Sequence, residues 1–310
     1  MTPGIPRVLV SVPTDRLAGD LEPLPDGVEV VVWDMESAAP RARIDIVVPP
    51  YMSQGSTLPR LADIDVRLVQ GQSIGYEGIE DVLPAGLVFA NAASVHETST
   101  AELAVGLAIA AQRHLDDFAV DTREGRWRPQ FSQSLADRRV LLIGYGGVGK
   151  ATAARLAPFE VELTVVARTA RDEDGVHVHG IDELDDLLAD AEIVVLTLPG
   201  GAETRGILDA RTLALLPDGA LVVNVGRGSL IDTDALVAET ASGRLRAALD
   251  VVDPEPLPEG HALWGTPGVL IAPHVGGASS AMRPRIARLI RRQAERMLAG
   301  EEPLNVVVRT

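Results

Sequence analysis

The sequence predicts an α/β protein made of two doubly wound parallel-sheet domains. Its 310 residues exceed what one small core needs. Its strand-length apolar runs lack strict alternation, as strands covered on both faces require. Between most of those runs lie stretches of helical spacing. With 46% hydrophobic and 23% charged residues, the chain can build a buried core.

In the first part of the chain, strands are expected at Arg7–Val12, Val28–Trp33, Ile44–Pro49, Val66–Gln70 and Leu87–Ala90, each bounded by turn formers. A helical pattern follows at Thr98–Arg113, with Thr98 or Ser99 as its N-cap. The alternation then restarts, with strands expected at Val140–Ile143, Glu162–Ala167, Val176–His179, Ile193–Leu198, Ala220–Asn224, Ala247–Asp250 and Val269–Ala272. Arg283–Gly300 reads as a closing amphipathic helix with arginine at its polar positions, placed so that the chain returns to its first domain.

Composition removes several function classes. The chain has no cysteine, which excludes disulfides, thiolate nucleophiles and cysteine-bound metals. A formal charge of −16 argues against a nucleic-acid or anionic-membrane surface, while leaving room for a local arginine pocket around an anionic substrate. Met1–Pro13 does not read as a signal peptide. The longest apolar stretch, Leu103–Ala111, is about half the roughly 20 residues that span a bilayer. The expected compartment is the cytoplasm.

Val140–Ile143 runs into Gly144-Tyr145-Gly146-Gly147-Val148-Gly149 and then a helix beginning at Lys150. This is G-x-G-x-x-G in its required place, after a strand and before a helix. Gly144 permits the tight turn, Gly146 lets backbone approach a pyrophosphate, and Gly149 allows close helix packing. The amides and dipole at the helix start favour phosphate. An NAD-selective site usually carries Asp or Glu about 20 residues beyond the first glycine. Here Arg168 stands 24 residues on, followed by Thr169 and Arg171. Arginine cannot accept from a ribose hydroxyl but pairs well with a 2′-phosphate, so NADP(H) is the preferred cofactor and NAD the alternative.

Three residues follow later strands, at the ends where doubly wound sheets build sites. Arg227 lies between Gly226 and Gly228, where small neighbours let a guanidinium reach a carboxylate and an adjacent keto oxygen. His274 follows Ile271-Ala-Pro and has the chemistry of a proton donor to a forming alkoxide. Glu255, held between Pro254 and Pro256, suits a carboxylate that fixes the imidazole tautomer. His177 and His179 alternate on one strand without an evident third ligand, and no metal site is expected; His96, His114 and His261 are given no catalytic role.

On these residues the chain resembles the D-isomer-specific 2-hydroxyacid dehydrogenases. The matching motifs are Gly144–Gly149, Asn224-Val-Gly-Arg-Gly228, Leu249-Asp-Val-Val-Asp-Pro-Glu-Pro256 and Pro273-His-Val-Gly-Gly277, with 28 residues from Arg227 to Glu255 and 19 more to His274. The resemblance implies a Rossmann coenzyme domain, 98–283, inserted into a flavodoxin-like substrate domain made of 1–97 and 284–310. It implies that Arg227 binds substrate carboxylate and keto oxygen, that His274 is the acid–base, and that Glu255 is its partner. Asp250 would bond the nicotinamide carboxamide, Thr100 would lie near the nicotinamide, and Gln72-Ser73-Ile74-Gly75 would offer amides to the substrate. Tyr51, Met52 and Trp127–Phe131 would line the pocket, the last from a partner subunit of a homodimer.

Ala-Arg168-Thr-Ala-Arg171 looks most like the NADPH-using glyoxylate and hydroxypyruvate reductases. Two departures stand out. Val252-Asp253 replaces a frequent Phe-Glu, and the Ile74-Gly75 loop lacks the lysine of the phosphite-oxidising members, which favours a monocarboxylate. The expected function is hydride transfer between NADP(H) and a small 2-keto or D-2-hydroxy acid. The alternatives are an NAD-dependent dehydrogenase and a dinucleotide-sensing, corepressor-like binding protein.

Overall fold

A computed structural model describes residues 8–310. Arg7, expected to open the first strand, and the rest of Met1–Arg7, read as part of a segment without a signal peptide, lie outside the described residues. The chain divides into two compact units. One is the chain up to His96 together with Ser279–Thr310, and the other is Glu97–Ala278.

In the first unit, β1 (Val8–Val12), β2 (Val28–Val32), β3 (Arg43–Val47), β4 (Asp65–Gln70) and β5 (Val88–Ala90) pair in parallel in the order β2-β1-β3-β4-β5. This is the flavodoxin-like strand order. A strand from the end of the chain, Val306–Arg309, adds to β5 antiparallel. Val8, Val10 and Val12 share a core with Ile286, Leu289 and Ile290 of the helix Met282–Ala299. That helix buries Ile286, Ala287, Leu289, Ile290, Gln293 and Ala294, a three-four spacing that makes one apolar stripe. Gln293 brings a polar group into this stripe and satisfies it. Its Nε2 donates to Gln70 Oε1 at 2.7 Å and to the Leu304 carbonyl at 2.9 Å, and its Oε1 accepts from the Leu304 amide at 2.9 Å.

The second unit holds β6 (Arg139–Ile143), β7 (Glu162–Val166), β8 (Arg171–Glu173), β9 (Val176–His179), β10 (Ile193–Leu196), β11 (Leu221–Asn224), β12 (Arg246–Leu249) and β13 (Val269–Ile271). Their order is β13-β12-β11-β10-β6-β7-β9-β8, parallel except for β8 on β9. The sheet is covered on both faces, and β6 shows how. Leu141 and Ile143 face one core with Val222 and Leu249, while Val140 and Leu142 face the other with Val105, Ala108 and Leu156. This double burial is why the strands read as continuous apolar runs. Strand order reverses between β6 and β10, so the connections leaving these strands diverge to opposite faces. The switch leaves a crevice at their carboxyl ends, where doubly wound sheets take ligands.

The structure adds two strands that the apolar pattern did not indicate. β8 is Arg-Asp-Glu at a sheet edge, where Asp172 also bonds the His177 ring of β9 at 2.8 Å; Val306–Arg309, here β14, is the antiparallel edge of the other sheet. The first long helix spans Glu97–Arg113, so Thr98 and Ser99 lie inside its first turn rather than at its N-cap. Among the described residues no helix is long and apolar enough to cross a membrane, and no group of three or more His, Asp or Glu gathers as a metal site.

Leu142 is fully buried in the centre of the second sheet. Leu142→Ala is expected to destabilise this unit by about 2–5 kcal/mol, read as a lower unfolding midpoint in urea without loss of the folded baseline.

Candidate active site

The glycine loop leaves β6 at the strand-order reversal. Gly144 has φ +110, its amide donates to the Val166 carbonyl at 2.8 Å, and a Cβ there would lie 2.7 Å from Thr197 Oγ1. A Cβ on Gly149 would fall 2.0 Å from the Gly144 carbonyl, so this glycine lets the helix Gly147–Leu156 sit directly on the loop. Gly146 differs, because nothing lies within 4 Å of a Cβ built on it. The protein's own packing does not demand glycine there, whereas a phosphate group pressing on the backbone would. Gly146 is also the helix N-cap and, having no side chain, cannot itself cap the first-turn amides. These features fit a dinucleotide pyrophosphate. Tyr145 is buried, with Lys150 Nζ 5.7 Å from its ring centroid; Val148 is half-buried. Thr197, at the end of β10, donates to the Gly144 carbonyl at 3.0 Å and braces the turn.

The cations expected around a 2′-phosphate stand at the neighbouring edge. Arg168 follows β7 and is highly exposed, with Nη2 2.7 Å from Glu203 Oε2. Arg171 opens β8, where Nε donates to Glu173 Oε2 at 2.9 Å and Nη1 to the Thr169 carbonyl at 3.3 Å. Lys150 Nζ meets the other Glu173 oxygen at 2.5 Å. Hydrogen bonds from Lys150 and then Arg171 hold the Glu173 carboxyl below its ordinary range, and Glu173 in turn raises Lys150.

The expected arginine, glutamate and histidine come from β11, β12 and β13, three adjacent parallel strands. Their loops therefore leave the same edge side by side. Arg227 is half-buried, with Nη1 donating to the Gly226 carbonyl at 2.7 Å. Its turn is clamped by Asn224, which is fully buried. Asn224 Nδ2 donates to the Arg227 carbonyl at 2.8 Å, and its Oδ1 accepts from the Gly226 amide at 3.0 Å. A Cβ on Gly228 would lie 1.9 Å from the Val252 carbonyl oxygen and 2.7 Å from the Asp253 amide nitrogen. Backbone contact thus presses the Arg227 turn against the loop that carries Glu255.

His274 Nδ1 is hydrogen-bonded to Glu255 Oε1. A carboxylate only accepts, so Nδ1 carries the hydrogen and Nε2 is the ring nitrogen turned away from Glu255. His274 itself has φ +52, a left-handed conformation uncommon for a residue with a side chain. Its amide donates to the Asp250 carbonyl at 2.8 Å. The Asp250 carboxylate secures the following residues by accepting from the amides of Val275 at 2.7 Å and Gly276 at 3.0 Å. Burial pushes this carboxyl above its ordinary value, outweighing the two amide donors. Thr100, buried in the first turn of its helix, completes the cluster, since a Cβ on Gly276 would lie 2.8 Å from Asp250 and 3.3 Å from Thr100.

Ser73, Ile74 and Gly75 belong to the other unit, after β4, and are half-buried. The Ser73 carbonyl accepts from the Ala92 amide at 2.8 Å and the Ile74 carbonyl from Asn91 Nδ2 at 2.7 Å. His96 Nε2 meets the Gln72 carbonyl at 2.6 Å, and its ring stacks on Tyr51 at 6.0 Å. Met52, Trp127 and Phe131 are exposed. Sequence reasoning assigned no role to Asn224, Thr197 or Glu203. Asn224 stands inside the quoted Asn-Val-Gly-Arg-Gly motif, which is the one available signal. The other two act through contacts with residues 53 and 35 positions away, respectively.

Asn224→Ala leaves the Gly226 amide and the Arg227 carbonyl without their side-chain partner. The expected cost is about 1–3 kcal/mol, seen as a lower melting midpoint. A fall in catalytic efficiency with unchanged coenzyme affinity should accompany it, because the turn it holds carries Arg227 and not the glycine loop.

The sequence pattern of the D-isomer specific 2-hydroxyacid dehydrogenase NAD binding domain matches residues 105–276. A glyoxylate reductase from Pyrococcus horikoshii is 28% identical over 306 residues, covering 92% of this chain and 91% of its own. A hydroxypyruvate reductase from Thermotoga maritima is 30% identical over 230 residues, covering 72% of this chain and 74% of its own. Among solved structures, a D-isomer specific 2-hydroxyacid dehydrogenase from Xanthobacter autotrophicus Py2, in complex with NADPH and MES, superposes with a TM-score of 0.80 at 30% identity, covering 97% of this chain and 98% of that one. With this match over more than half its length, on a strand order and loop set of the same kind, the chain belongs to the D-isomer-specific 2-hydroxyacid dehydrogenase family.

Proposed function

We propose that this chain is an NADPH-dependent reductase of small 2-keto acids with a single carboxylate, of the glyoxylate and hydroxypyruvate kind. The observation that carries the reading is the His274–Glu255 hydrogen bond on loops adjacent to the Arg227 turn, in the same unit as the glycine loop. Gly144, Tyr145, Gly146, Gly147, Val148 and Gly149 would hold the pyrophosphate through backbone amides. Arg168, Thr169 and Arg171 would face the 2′-phosphate, with Thr100 and Asp250 at the nicotinamide end. The reduced nicotinamide, when bound, supplies the hydride that the keto carbon accepts.

The chain's own residues do the rest. Arg227 presents a planar fork that pairs with the substrate carboxylate and polarises the keto oxygen. His274 Nε2 gives that oxygen its proton as the carbonyl becomes a hydroxyl, and Glu255 keeps the ring oriented through Nδ1. The unit containing Ser73, Ile74 and Gly75, proposed as 1–97 with 284–310, serves as the substrate domain and offers backbone amides to the carboxylate. Residues 98–283 serve as the coenzyme domain. The enzyme works in the cytoplasm as a homodimer, without nucleic-acid or membrane partners.

Exposed Trp127 and Phe131 support the dimer as large apolar side chains that a second chain would cover. Size measurement in solution should give twice the 32.8 kDa of one chain. Replacing both Trp127 and Phe131 by Ala should shift the species toward one chain.

Loss of absorbance at 340 nm with NADPH or NADH and glyoxylate, hydroxypyruvate, pyruvate or phenylpyruvate tests the reaction. NADPH should be consumed faster than NADH. His274→Ala is expected to lower kcat by about 10²–10⁴-fold with NADPH affinity unchanged, and equal losses in both would remove its role. Arg227→Gln should raise KM for the keto acid and lower kcat together.

A further inference from the structure

We propose that Glu203 is a built-in competitor for the 2′-phosphate site, whose pairing with Arg168 sets how tightly the chain holds a phosphorylated coenzyme. This rests on the NADP(H) reading above. β7 and β10 flank β6 on opposite sides. Arg168 leaves the carboxyl end of β7, and Glu203 lies in the turn that follows β10. Their side chains meet at 2.7 Å, so the ion pair reaches from one side of the glycine loop to the other. It bridges strands two spacings apart, about 10 Å in a parallel sheet. A 2′-phosphate on an adenosine ribose seated at the end of β7 must therefore part this pair or share it.

The turn that holds Glu203 is built rather than loose. Thr204 Oγ1 donates to the Pro199 carbonyl at 2.8 Å, the Arg205 amide to Gly201 at 3.0 Å, and the Gly206 amide to Ser229 at 2.8 Å. The carboxylate is thus delivered to Arg168 by local structure. The other two cations at this edge, Arg171 and Lys150, have a carboxylate of their own in Glu173. Each positive group that would face a 2′-phosphate is neutralised in advance, and the Arg168 pair is the one that crosses the crevice.

The two partners of that pair are 82% and 74% exposed, and an ion pair so open to water holds weakly. A phosphate dianion offers several oxygens to the guanidinium fork and displaces a single carboxylate. A ribose 2′-hydroxyl carries no charge and does not. Glu203 therefore opposes one coenzyme and not the other. It subtracts from NADPH affinity, first by occupying Arg168 and then as a like charge beside the phosphate, and leaves NADH binding unaffected.

The test is calorimetric binding of NADPH, NADH and adenosine 2′,5′-bisphosphate to wild type, Glu203→Gln and Arg168→Gln, with melting midpoints confirming the fold of each. Glu203→Gln should tighten NADPH and the bisphosphate by roughly three- to tenfold, the scale of one like charge removed near a surface phosphate, and leave NADH unchanged. The gain should shrink as salt is raised. If Arg168→Gln weakens NADPH while Glu203→Gln leaves it unchanged or weaker, the competitor role is overturned and the cofactor reading stands. If Glu203→Gln weakens NADH, the carboxylate is a ribose acceptor and the proposal fails. If wild type prefers NADH and Arg168→Gln changes nothing, the cofactor reading falls and this proposal falls with it.

Discussion

Parallel pairing in register is the constraint on which the candidate site depends. β11, β12 and β13 run side by side in one direction, so the three loops that follow them leave one edge of the sheet. Arg227, Glu255 and His274 are far apart along the chain and become neighbours only because those strands are adjacent. The strand interiors contribute nothing but apolar side chains to two cores, and that is their role. Chemistry is confined to the carboxyl ends, where backbone groups leave the ladder and side chains can face a ligand.

Around that edge, buried and half-buried polar groups do the positioning. Asn224 holds the Arg227 turn, Asp250 holds the two amides after His274, and Thr197 holds the Gly144 turn. Each is a side chain bonded to backbone, an arrangement that fixes a loop more firmly than surface ion pairs do. The left-handed backbone of His274 is sustained by the same contacts, with its amide on the Asp250 carbonyl. Asp250 was expected to meet the nicotinamide; the structure gives its carboxylate a second task as the anchor of the histidine loop.

Much of this was legible in the sequence because apolar runs and glycine spacing are local signals. The runs from Val140 to Ile143 and from Val269 to Ala272 correspond to strands, and Gly144–Gly149 reads as a strand-to-helix turn without any knowledge of the fold. The edge strand Arg171–Glu173 was not legible, since it is charged throughout and has no apolar face to leave a pattern. Val306–Arg309 is apolar but short, and its place depends on a partner more than two hundred residues earlier. The same reason hides Glu203: nothing local marks a carboxylate that acts by reaching a different strand's loop. His274–Glu255 lay between these cases. Residue types suggested the pair, and only adjacency of β12 and β13 brings them into contact.

The Gln70–Gln293 hydrogen bond joins residues 223 positions apart. It marks a sheet whose one face is completed by the helix Met282–Ala299, synthesised long after β1. On the ribosome, Val8, Val10 and Val12 emerge with Leu17 and Leu21 to pack on, but long before Ile286, Leu289 and Ile290, whereas Glu97–Ala278 is one continuous stretch. Glu97–Ala278 is thus free to fold during synthesis while the strands before it wait for the helix Met282–Ala299. A nascent chain that stops short of Met282 carries this face only partly covered.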